Sequence, residues 1–81
     1  VAGQNPDLDV GRLRADGVGL RQRLADVAAS IACTEDQVAE TLERMALVLP
    51  YDAARLRSRA ARARRYARQE RSWAAMFDPP Y

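Results

Sequence analysis

Arginine is the residue whose type and spacing could do the most chemistry in this chain. Residues 55–71 read RLRSRAARARRYARQER, eight arginines in seventeen positions. Within them Arg57, Arg64, Arg68 and Arg71 recur at helical spacing on one face, with Arg65 nearby, and Arg55, Arg59 and Arg62 lie on the opposite flank. A guanidinium is a permanent cation whose planar fork of donors matches carboxylate and phosphate. Like charges four apart on a helix repel by roughly 0.2–0.5 kcal/mol, so the ladder implies an anionic counterpart. The acids Glu35, Asp36, Glu40 and Glu43 of the same chain are one candidate. Nucleic-acid phosphate is a second. An anionic membrane surface, with Trp73, Met76 and Phe77 as apolar anchor, is a third, and an acidic protein partner a fourth.

Little else in the chain could carry a reaction. It contains no histidine and no lysine, which removes the usual general base near neutral pH, the commonest metal ligand and any Schiff-base nucleophile. It has no glycine-rich phosphate loop and no metal-ligand spacing. Asp16 with Asp26, and Glu40 with Glu43, read as surface pairs on helices dense in charge. Cys33 is the single cysteine, so no internal disulfide can form. We expect it to be a small buried packing residue in a reduced, cytoplasmic setting. No leader pattern opens the sequence, and no uncharged run approaches the ~20 residues that span a bilayer. The expected catalytic, metal and cofactor residues are therefore none. The chain reads as non-enzymatic, with no small-molecule substrate.

The elements that position the arginines follow from apolar period and end signals. Asn5, Pro6, Asp7 and Asp9 read as a helix start. Val10, Leu13, Gly17, Leu20, Leu24, Val27 and Ile31 then recur at alternating steps of three and four, a heptad seam with a hole at Gly17. Gly11, Gly17 and Gly19 predict fraying or a kink over 11–19. Thr34 and Gln37 form a candidate capping box. Residues 20–49 are thus either one helix or two meeting at Cys33, and the absence of a left-handed-tolerant residue there favours continuity. Val38, Leu42, Met45 and Leu49 form a second stripe. Pro50 ends the element, and Asp52 caps the next, with Tyr51 stapled on Leu56. In that last helix Leu56, Ala60, Ala63, Ala67, Ala74 and Phe77 share a thin stripe, with Tyr66 and Trp73 on its flank.

The expected fold class is all-α, an antiparallel helical hairpin or small three-helix bundle in a single domain over 1–81. Its helices run over about 7–32, 34–49 and 52–77, with 20–49 continuous as the alternative. A domain of 81 residues buries only about 60% of the surface its unfolded chain exposes, so a monomer is marginal and self-association expected. The net charge of +2 hides a split. Residues 1–51 carry five arginines against eight acids, while 52–77 carry eight arginines against Asp52 and Glu70.

LADVAASIACTEDQVAETLERMALV, residues 24–48, resembles a helix-turn-helix unit. Ala28, Ile31, Val38, Leu42 and Met45 stand where that motif places its packing residues. The would-be recognition helix carries Glu35, Asp36, Glu40 and Glu43 against Arg44 alone, a balance that phosphate repels. IACTEDQVAETLERMA and AARLRSRAARARRYARQERSWA resemble the small arginine- and alanine-rich helical proteins of high-GC Gram-positive bacteria. That resemblance implies a helical hairpin and brings no activity with it.

The leading expectation is a protein–protein interaction module that self-associates through Leu20, Leu24, Val27 and Ile31 and through Trp73, Met76 and Phe77. The alternative is a small nucleic-acid-binding or regulatory protein touching phosphates with Arg57, Arg64, Arg68 and Arg71.

Overall fold

A computed structural model of the chain describes the backbone over residues 6–77 and the side chains from Gly11 to Phe77. The Asn5 cap, the side chains of Asp7, Asp9 and Val10, and the closing DPPY lie outside the described residues. Within them the protein is all-α: helix α1 spans Pro6–Val48, 43 residues, and helix α2 spans Ala53–Phe77, 25 residues.

The three-helix bundle is not formed, because α1 is a single unbroken helix. Thr34, the candidate cap, instead donates its hydroxyl to the Ser30 carbonyl one turn back, at 3.1 Å. That bond occupies the side chain that would have opened a second helix, and a threonine bonded this way sits comfortably inside a continuous one. The glycines at 11, 17 and 19 do not interrupt it either. Each has open space where a side chain would stand. They therefore lower helix propensity without answering any packing need.

Pro50 closes α1 as expected. Leu49 N–H donates to Met45 O at 3.0 Å, and Asp52 N–H donates to Leu49 O at 3.0 Å, which turns the chain over residues 49–52. Asp52 holds the capping position, its carbonyl accepting from Leu56 N–H at 2.9 Å. Its carboxylate lies 3.5 Å from Arg55 Nη2. The expected staple does not form, since Tyr51 is fully exposed.

α2 doubles back along the C-terminal half of α1 on a seam of small residues. Ala25, Ala28, Ala32, Ala39, Leu42 and Ala46 of α1 are buried, and so are Ala53, Leu56, Ala60, Ala63 and Ala67 of α2. Both series advance by three and four, the spacing that keeps a stripe facing a neighbouring helix. Glu70 continues the α2 series and is the one charged side chain buried there. No described side-chain nitrogen or oxygen is left sealed without a partner, its carboxylate included. The stripe of Val38, Leu42, Met45 and Leu49 is divided: Leu42 enters the core while Val38, Met45 and Leu49 stay about two-fifths exposed. Cys33, expected to be buried, is exposed, because it stands one residue past the seam position held by Ala32.

The outcome is a rod. Its extents are 74 × 22 × 13 Å and its radius of gyration is 20.5 Å, against about 12 Å for a compact domain of this length. No residue from Gly11 to Leu24 is buried, so the first turns of α1 project past the end of α2 as an arm.

Two outcomes follow for stability. Ala60→Leu forces a large side chain into a seam position that is 1% exposed and should destabilise the chain by about 1–3 kcal/mol in urea unfolding. The exposed neighbour change Ala61→Leu should stay within about 0.5 kcal/mol. In the arm, Gly17→Ala with Gly19→Ala should raise helix content by circular dichroism, each contributing about 1 kcal/mol of helix propensity.

Candidate functional site

Each helix carries two further stripes, one on either side of its buried seam, and the doubling back of α2 places matching stripes on the same side of the rod. One side of the rod is charged and the other is largely apolar.

On the charged side, the residues one position past each seam face each other. Arg64 Nη2 and Nε donate to the two carboxylate oxygens of Glu43, the Nε bond at 3.3 Å. The same guanidinium lies 3.7 Å from Asp36 Oδ1, and Arg71 donates to Asp36 Oδ2. Two acids of α1 and two arginines of α2 thus form one connected network. The fork-to-fork geometry is the one for which arginine is suited and lysine is not. The hydrogen bond from Arg64, with its charge, holds the Glu43 carboxyl below its ordinary value of 4.5 against a smaller opposing effect of desolvation. The bond from Glu43 raises Arg64 in turn.

Of the four arginines singled out from sequence, two are therefore engaged by the chain's own acids. Arg57 is exposed beside a shallow groove lined by Glu40, Glu43, Arg44 and Leu47. Arg68 is also exposed. Of the other two acids considered as counterparts, Glu40 pairs with Arg44 on its own helix at 3.2 Å. Glu35 lies on the other side of the rod, in a groove it shares with Val38, Leu42, Tyr66, Arg59 and Arg62.

That other side is the candidate site. The positions one before the α1 seam are Leu24, Val27, Ile31, Thr34, Val38, Thr41, Met45 and Val48, and the same spacing reaches back through Leu20, Gly17 and Leu13 along the arm. On α2 the corresponding positions are Arg55, Arg59, Arg62, Tyr66, Gln69, Trp73 and Met76. Leu20, Leu24, Val27 and Ile31 are each between 36% and 56% exposed, and Trp73 and Met76 are 45% and 77% exposed. Phe77 is half-buried. Tyr66 lies beside Val38 in the groove. Trp73 and Ile31 are each displaced one heptad from that pair in opposite chain directions, so they fall on the same side one layer further from the turn. The sequence-derived apolar residues therefore form one surface, while the four arginines lie on the reverse.

Sequence reasoning missed the alanine seam of α1. Its signal was present: Ala25, Ala28, Ala32, Ala39 and Ala46 keep heptad spacing one residue out of step with the larger side chains. Weighting by hydrophobic size favoured the larger stripe. Among the described residues no group of acids and cysteine could hold a metal ion. No helix there is long and apolar enough to cross a membrane.

The Arg64–Glu43 contact makes a signed prediction. A carboxyl held below its ordinary value contributes stability that is fully present above pH 4.5 and lost as pH falls through the depressed folded value. Glu43→Gln should therefore flatten the fall in thermal midpoint on acidification below that point, and Glu43→Gln with Arg64→Gln should flatten it no further. An unchanged acid profile in Glu43→Gln would show that the contact does not contribute.

The chain matches no family model, no curated protein and no solved structure.

Proposed function

We propose that this protein is a non-enzymatic helical interaction module, a helical hairpin that works by self-association in the cytoplasm. The observation that carries the reading is an inversion of the usual burial order. Alanines occupy the seam between the helices, while Leu20, Leu24, Val27, Ile31, Trp73 and Met76 are exposed together on one side. Burying a leucine- or valine-sized side chain is favourable by about 1.5–3 kcal/mol, so a contiguous row left in water favours association. Extended exposed apolar surface of this kind marks interaction sites, and aromatic side chains such as Trp73 commonly dominate them. The resemblance to small arginine- and alanine-rich helical proteins agrees with a hairpin and adds no activity.

Phosphate binding by Arg57, Arg64, Arg68 and Arg71 is the second reading, favoured by their placement on one side of α2. It would draw Arg64 and Arg71 away from Glu43 and Asp36, which lowers its appeal relative to the first.

Sedimentation of the full chain at about 100 µM separates the two, since even a micromolar dissociation constant leaves most chains paired there. We expect an oligomer. Val27→Glu with Ile31→Glu should be a helical monomer, because the change places charge on the exposed stripe and spares the alanine seam. A wild-type monomer at that concentration would remove self-association. The phosphate reading predicts a duplex-DNA affinity with a log–log salt slope of about −3.6 for four contacts, abolished by changing all four arginines to glutamine.

A further inference from the structure

We propose that the stripe on α1 is covered by a second copy running antiparallel to the first, with the arm of each copy lying on the paired half of the other. This rests on the self-association reading and specifies its geometry.

The stripe is longer than the part of the rod that has two helices. It continues through Leu20 and Leu13, where α1 has no neighbour. A two-fold axis perpendicular to α1 near Ala29 matches the two halves. It sets Leu20 opposite the partner's Val38, Leu13 opposite the partner's Met45, and Val27 opposite the partner's Ile31. Thr34 comes opposite the partner's Leu24 with its hydroxyl already satisfied by Ser30 O, so covering it orphans no donor. Gly17, where the seam lacks a side chain, meets the partner's Thr41.

Charge follows the same register. On one flank of the stripe Asp16 comes beside the partner's Arg44, Arg23 beside the partner's Gln37, and Ser30 beside the partner's Ser30. On the other flank Arg21 reaches the partner's Glu35. No like charges oppose each other directly across the two α1 helices. Leu20 then enters the groove formed by Glu35, Val38, Leu42 and Tyr66, whose α2 wall also carries Arg59 and Arg62, a position that the arm can reach only from another copy.

The α2 helices fit this arrangement. Each ends at Phe77 beside the start of the buried seam, so the two copies of α2 overlap only around the axis. Trp73 and Met76 of both copies gather there, over Val27 and Ile31. A stable interface takes ~800 Å² per partner, which the stripe along the whole of α1, together with these two side chains, is placed to supply.

Disulfide trapping tests the register in a Cys33→Ser background. One sample of chain carries Leu20→Cys and a second carries Val38→Cys; each is oxidised alone and then as a mixture. Antiparallel pairing brings position 20 against position 38 of the other copy within disulfide reach, so the mixture should form a crossed disulfide that neither sample forms alone. Self-disulfides within each sample, with no crossed product, would show a dimer in parallel register and overturn the geometry while leaving self-association standing. A monomer by sedimentation would overturn both.

Discussion

The close approach of two helices through alanine is the constraint from which the rest of the structure follows. Ala32, Ala39 and Ala67 are wholly buried, and Ala60 is 1% exposed. A methyl group at the contact lets backbones come together, and dispersion over many short contacts supplies the attraction. Such a seam holds two helices in a defined register, yet removes little apolar area per residue from water. Among the described residues, Leu42 and Leu56 are the only large apolar side chains it takes in. The apolar residues that would fill the core of an ordinary small bundle stand one position to the side and stay in solvent.

The ion-pair network acts on that seam rather than in place of it. Exposed pairs of this kind contribute modestly to stability, but their directionality is useful where the packing surface is so uniform. A heptad of alanines slides by seven residues at little cost in shape, because each layer resembles the next. Arg64 clasping Glu43 while lying near Asp36, with Arg71 on the same Asp36, distinguishes one register from its neighbours. Leu42 and Leu56 reinforce it as the bulky members of the seam. In this view the arginine-rich face is first a register device, with Arg57 and Arg68 its exposed members.

The division of the surface then has a simple origin. One position past the seam on each helix lie the charges, and one position before it lie the large apolar residues. Since α2 runs back along α1, equal offsets fall on equal sides, and the rod acquires one charged and one largely apolar side without a third helix. Arg55, Arg59 and Arg62 near the turn give way to Tyr66, Trp73 and Met76 toward the far end. The apolar surface is thus broadest away from the turn, next to the arm where α1 stands alone.

The chain's own residues determined its helical class, the stop at Pro50, the start of α2 after Asp52, and the stripe of Leu56, Ala60, Ala63 and Ala67, because periodicity and end signals act over a few residues. They also placed Leu20, Leu24, Val27 and Ile31 on one stripe and the four arginines on another face. Tertiary structure decided which of two overlapping stripes on α1 would be buried. Hydrophobic size argued for the leucine row, but the partner helix offers alanine, and small surfaces pack closest on small ones, so Ala25 to Ala46 went inward and Cys33 was turned outward. It decided, too, that Thr34 bonds back to Ser30 inside a continuous helix and that Arg64 finds Glu43 twenty-one residues away. These outcomes depend on what stands opposite each residue, which local pattern does not encode.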